Sequence, residues 1–277
     1  MRQLLSVCAG VVGLAIASPA AADVEVPLTI VGNLATGHIV LPGGISADLG
    51  IGFESTTGLS STSLRASVRL ISPLDLGLLA LLHGLRAPVT FPVLLRIRPR
   101  SGSTLSFSGI TTVSLRTPNL TLNLSLPLSF YSSSNGEPFR DITTTEGIGS
   151  YRVSGSSGGF SDFVIVLDLQ AIDTVIGEKF TALQGLLDDY AGSIPPAVLT
   201  DLQSLLTQAQ TAWSSGSTTT AITHLTAFDA AVLAHSGADI PDVWRANDPS
   251  AVNVAGYLRA AAQTTSFSLS RKANASP

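Results

Sequence analysis

The sequence predicts an α+β protein: an N-terminal, immunoglobulin-like β-sandwich followed by a small C-terminal α-helical bundle. Three observations carry this. Several segments before residue 169 alternate apolar and polar residues, the period of a half-buried strand. The apolar spacing lengthens to three and four residues after Asp168 to Asp173. Clusters of Gly, Ser, Asn and Pro break the first part at short intervals. The divisions that follow are 1–22 as a signal peptide, 23–169 as the sandwich and 170–277 as the bundle.

The strands come first. Ile45, Ala47, Leu49, Ile51 and Phe53 alternate with Ser46, Asp48, Gly50, Gly52 and Glu54. Leu120, Leu122, Leu124, Leu126, Leu128 and Phe130 do the same in one long run. Pro127 inside that run implies a sheet edge, because proline cannot donate to a neighbouring strand. Val24 to Ile30, Leu64 to Leu70, Phe91 to Ile97, Thr111 to Leu115 and Phe160 to Leu167 are further strands. Short strands that each bury one face are best satisfied by two packed sheets. Leu74 to Leu85 breaks the pattern and reads as a short helix, or a plug over an open end of the sandwich.

The helices follow. Val175, Ile176, Phe180, Leu183, Leu187 and Tyr190 share one helical face, with Asp173 as the expected cap. Pro196 opens a second helix carrying Leu202, Leu205, Leu206, Ala209 and Trp213. Beyond Ser214 to Ser217, a third presents Ala221, Leu225, Phe228 and Val232. Pro241 to Trp244 reads as one short turn. Asp248-Pro249 reads as the cap and first residue of a last helix ending near Thr264. Thr265 to Leu269 is open between a strand and a frayed end. Short connections imply antiparallel neighbours. No flexible linker separates the two parts, so they are expected to dock.

Composition bounds the rest. The chain has 277 residues, 45% hydrophobic and 12% charged, with one Cys. That excludes disorder as the main state, a disulfide scaffold and a multi-cysteine zinc site. Arg2, the apolar run Leu4 to Ile16 and the small residues ending at Ala22 form a secretory signal, with cleavage expected after Ala22. The mature chain then has no cysteine and no transmembrane anchor, and is expected to be released to the periplasm or medium. Charge is uneven. Arg65 to Arg152 holds nine Arg against four acids, and Asp162 to Asp248 holds eleven acids against two cations. The opposite signs are open between two readings: halves that pack on each other, and an N-terminal face that binds a polyanion. Export and a pI of about 5.5 argue against nucleic acid as a partner.

No catalytic set stands out. Gly155-Ser156-Ser157-Gly158-Gly159 matches G-x-S-x-G, but strand-like flanks make it a hairpin turn and not a strand-to-helix elbow. His38, His83, His224 and His235 have no His or Cys at ligand spacing. Asp239, Asp242 and Asp248 lack an EF-hand pattern and read as caps and solvated loop residues. No cofactor is implied. Trp213 fits a core face. Trp244 beside Arg245 is the candidate for an exposed binding contact.

Two stretches resemble known families. Asp201 to Val232, with Leu202, Leu205, Ala209, Gly216, Ala221, Ile222, Leu225 and Phe228, is similar to the FIMAH domain, a helical module of secreted bacterial proteins. Phe139 to Thr143, Gly149 to Val153, Gly159 to Phe163 and Ile240 to Ala246 resemble the DUF6689 type, exported bacterial proteins of unknown function. The second likeness implies a bacterial periplasmic or extracellular protein and brings no activity, cofactor or catalytic residue. The leading expectation is an exported, non-catalytic binding or structural protein whose partner is another protein or an envelope polymer. The alternatives are an envelope-polymer hydrolase and a lipid or small-ligand carrier.

Overall fold

The computed structural model describes residues 22–121, 127–134, 136–147 and 150–275. The expected signal peptide and the centre of the Leu120 to Phe130 run lie outside the described residues. In chain order the strands are β1 (Val24–Val26), β2 (Leu28–Val31), β3 (Leu34–Leu41), β4 (Ile45–Thr57), β5 (Leu64–Leu70) and β6 (Val93–Pro99). Then come β7 (Ser106–Thr121), β8 (Leu128–Ser133), β9 (Arg140–Asp141), β10 (Thr143–Gly147), β11 (Ser150–Ser157), β12 (Asp162–Leu167) and β13 (Val243–Arg245). The helices are α1 (Leu76–Leu81), α2 (Ile172–Asp189), α3 (Pro196–Ser214), α4 (Thr218–His235) and α5 (Val254–Ala275).

The fold is mixed α+β with two antiparallel sheets. The first sheet has the order β1-β5-β6-β12-β8-β9. The second has β10-β11-β7-β4-β3-β2, with β13 added to β7. One apolar cluster takes side chains from both sheets. Ile39, Leu49, Ile51, Val113 and Val153 come from the second, and Val68, Leu95, Ile97, Phe130 and Phe163 from the first. Each is nearly or wholly buried, which stabilises the fold by about 1.5–3 kcal/mol per large side chain.

The chain passes between the sheets at short breaks in strand pairing. The expected strand Val24 to Ile30 is two strands, because Pro27 has no N–H to donate and the chain changes sheets there. A second passage lies at Ile142, between β9 and β10. Pro127 precedes β8 and does not mark an edge: β8 lies between β12 and β9, and the Pro127 carbonyl accepts from Asp168 N at 2.9 Å. Strands β3 and β10 were not expected, since Gly37 and His38 in one and the Thr-Thr-Thr-Glu run in the other hide the apolar period.

The Leu74 to Leu85 segment is the short helix expected, but it covers a sheet face and not an open end. Asp75 caps α1 by accepting from Leu78 N at 3.0 Å. Leu78 and Leu82 are buried with Leu94, Tyr131, Val164 and Val166 on the side of the first sheet facing away from the shared cluster.

Helices α2, α3, α4 and α5 share a second apolar cluster, with Phe180, Leu187, Leu206, Leu225, Phe228, Val232 and Leu258 among its buried members. Helix α5 contacts α2 and α4 on one side and β7, β10 and β11 on the other. Four local expectations change. Asp173 is not the cap of α2; Ala171 holds that position, and Asp173 pairs with Lys272. Residues 243–245 are a strand, β13, and not a turn. Asp248 accepts from Ser250 N and Oγ within its own loop. The start of α5 is held instead by Asn253, whose Oδ1 accepts from Gly256 N at 2.8 Å. Thr265 to Leu269 continues α5 to Ala275.

Candidate functional site

Two polar features stand apart from the apolar clusters. The first is the junction between the sheets and α5. Asn253 is wholly buried, and its Nδ2 donates to the carbonyls of Gly109 and Gly158 at 2.6 and 3.2 Å. Gly158 is required by close approach: a Cβ there would lie 2.4 Å from Tyr257 N. Burial pushes the Tyr257 hydroxyl up to about 12. Three ion pairs join the helices to the sheets: from α5, Arg259 to Glu54 at 2.7 Å and Arg271 to Glu146 at 3.7 Å, and from α2, Lys179 to Asp141 at 3.1 Å. In every one the sheet supplies the acid and the helix the cation. This reverses the polarity expected from net charge. The basic excess of the strands is matched locally, by Arg96 and Arg98 on Asp162 and Arg69 on Asp75.

Lys179 is the deepest of these cations. Its Nζ also donates to Thr264 O at 3.0 Å and Ser268 Oγ at 2.8 Å. Burial lowers its pKa, and Asp141 opposes that shift. Asp141 Oδ1 accepts from the Thr143 N–H and hydroxyl at 2.8 and 2.6 Å. Tyr131 Oη donates to Asp168 at 2.8 Å, and burial raises its pKa far above the usual phenol range. Glu146 is raised by burial too, with Arg271 opposing. Tyr151 Oη and Glu146 Oε1 are buried with no hydrogen-bond partner among the described residues.

The second feature is a pair of adjoining grooves. One, about 590 Å³, runs between β7, β10 and β11 and the helices α4 and α5. The sheet lines it with Thr112, Thr145, Ser154 and Ser156, and the helices with Asp229, Gln263 and Phe267. The other, about 500 Å³, crosses β3, β4, β7, β10 and β11. Thr145 and Ser154 line both.

Strand register explains the lining. Residues directly opposite each other form rows across the second sheet. One row is Thr36, Gly50, Ser114, Ser154 and Thr145. A parallel row is His38, Asp48, Arg116, Arg152 and Gly147. Inward neighbours such as Ala35, Leu49, Leu115 and Val153 are buried, so these rows face away from the core. Five strands at about 4.8 Å spacing give a row about 19 Å long. Gly50 keeps the floor flat, since a Cβ there would meet Ser114 Oγ at 2.5 Å. The surface can donate and accept hydrogen bonds along an extended chain, with guanidinium and carboxylate groups at its margin.

The residues singled out in the sequence lie elsewhere. Trp244 is half-buried on β13; its ring stacks on Phe107 with centroids 5.2 Å apart and meets Phe160 edge-on at 4.8 Å. Arg245 beside it is exposed. Neither lines a groove. Trp213 tilts against Phe180 at 5.4 Å. The G-x-S-x-G residues are not a hairpin turn: Gly155 to Ser157 lie in β11, and Gly158-Gly159 lead across to β12 in the other sheet. Among the described residues, no three His, Cys, Asp or Glu side chains gather as metal ligands, and no helix is long and apolar enough to cross a membrane. The groove residues escaped sequence reading because the strands carrying them are far apart in the chain. Alternation marks an outward face but not which faces adjoin.

No curated protein matches the sequence. The profile of one family, described as a family of unknown function, matches residues 10–273. That span is most of the chain, and the chain belongs to this family, DUF6689.

Proposed function

We propose that the protein is an exported, non-catalytic binding protein of the bacterial envelope or surface, and that its grooves hold an extended, hydroxyl-rich chain such as an envelope glycan. The carrying observation is the continuity of the two grooves through Thr145 and Ser154 over rows of Ser, Thr and Gly. The hydroxyl groups along these rows suit a ligand that is itself hydroxylated. Phe267 supplies one ring against which a sugar face can rest. Export rests on the reading of residues 1–22. The same reading takes the sheets as an immunoglobulin-like sandwich, 23–169, and residues 170–277 as a bundle of the FIMAH kind. The two separate apolar clusters support that division.

The test is titration calorimetry of the purified chain with cello-, xylo-, chito- and galacturono-oligosaccharides. Ser154→Trp places a large ring where the grooves join, and Thr36→Trp places one on β3 within the second groove. Binding to at least one oligosaccharide, lost in both variants, is expected. No binding across the panel, or binding unchanged in both variants, contradicts the proposal.

A further inference from the structure

We infer that the groove selects an acidic glycan, seating an oxyanion of the sugar chain on Arg116 and Arg152. The inference rests on the groove being the binding site and names the class of chain it takes.

Arg116 on β7 and Arg152 on β11 are direct cross-strand partners. Both are exposed, both line the groove crossing β3, β4, β7, β10 and β11, and both face away from the core. Like charges held directly opposite are destabilising unless something compensates them. The protein compensates only one side. Asp48, the partner of Arg116 on β4, lies 3.9 Å from its Nη1. The same carboxylate is 2.9 Å from His38 Nδ1, so it is shared along the row. On the other flank the partner of Arg152 is Gly147, which brings no side chain. Among the described residues Arg152 has no ion-pair partner. The nearby Glu146 does not fill that role. It is opposite Val153, its side chain is 13% exposed, and its charged neighbour is Arg271 on α5, with Lys179 and Asp141 beyond.

A carboxylate or sulfate between the two guanidiniums relieves their repulsion and can accept bidentate hydrogen bonds. One row over, Ser114 and Ser154 sit beside the arginines as neutral partners for sugar hydroxyls. An anion site and a hydroxyl row side by side match a sugar that carries both groups. A simple anion would use only the first, and a neutral glycan only the second.

The experiment compares oligogalacturonate with its methyl ester, which keeps the backbone and removes the charge. Dextran sulfate against dextran forms the sulfate arm. Calorimetry on the full chain is expected to show the acid, or the sulfate, binding about tenfold or more tighter than its neutral counterpart. That preference falls in high salt. Arg152→Gln and Arg116→Gln each lower acid binding far more than neutral binding and so remove the preference, and Arg152→Lys restores part of it. Equal affinity for acid and ester in both arms overturns the inference, as does unchanged acid binding in both Gln variants. If neutral chains bind and Ser154→Trp abolishes that binding, the groove stands and only the acidic preference falls. If no chain binds in either arm, both fall together.

Discussion

Lys179 on α2 and Asp141 on β9 form a 3.1 Å ion pair in which both side chains are almost fully buried, at 7% and 5% exposure. The lysine comes from the helices and the aspartate from the first sheet, so the pair fixes one against the other. Its surroundings are complete. Thr264 O and Ser268 Oγ take further protons of the ammonium, and Thr143 donates twice to the carboxylate. A buried pair of this kind is stabilising only while both members are present.

Removing one member is therefore the severe change. Lys179→Met leaves Asp141 buried without its cation and is expected to cost about 3–5 kcal/mol. Lys179→Met with Asp141→Asn removes both charges and is expected to recover most of that loss. Urea denaturation of both variants measures it. A double variant no more stable than the single one contradicts a pairing role.

Asn253 joins three backbone segments by one side chain. Asn253→Ala loses the contact to Gly256 N at the start of α5 and leaves the Gly109 and Gly158 carbonyls unmatched. The expected cost is about 3 kcal/mol, the sum of a lost cap and buried unsatisfied groups. Asn253→Asp keeps the cap acceptor and loses the donor, so an Asp variant as stable as wild type would contradict the Gly109 and Gly158 contacts.

Glu146 sets a pH dependence of known sign. Burial raises its carboxyl above the ordinary 4.5, so the folded state holds its proton to higher pH than the unfolded chain does. Stability contributed by that proton is present below 4.5 and is lost as pH rises through the folded value. Glu146→Gln keeps the neutral form at every pH. The stability of Glu146→Gln relative to wild type is expected to grow from pH 4.5 upward, read from thermal midpoints. A constant difference across that range contradicts the burial effect.

The fold was partly legible in the sequence, and the reasons differ by element. Leu64 to Leu70 and the helix starting at Pro196 match because alternation, or a proline at the first helical position, is a local signal. Helix α5 was shortened in the reading because Thr265, Ser266, Ser268 and Ser270, weaker helix formers, crowd the start of its second half. Buried contacts on several sides, at Thr264, Thr265, Ser268 and Leu269, hold it helical where propensity alone is weak. The change of sheet at Pro27 depends on which strand each half pairs with, which is a tertiary fact. The site was hidden for the same reason. Arg116 and Arg152 lie on strands distant in the chain, and only the register of β7 with β11 sets them side by side.

Amide chemical-shift mapping of the isotope-labelled chain during titration with galacturono-oligosaccharide tests the groove most directly. Shifts concentrated at Thr36, Gly50, Ser114, Thr145, Ser154 and Arg152, with little change at Trp244 and Arg245, are the expected result. Shifts centred on Trp244 and Arg245, or on α1, with the row across the second sheet unmoved, would contradict the assignment of the groove as the binding surface.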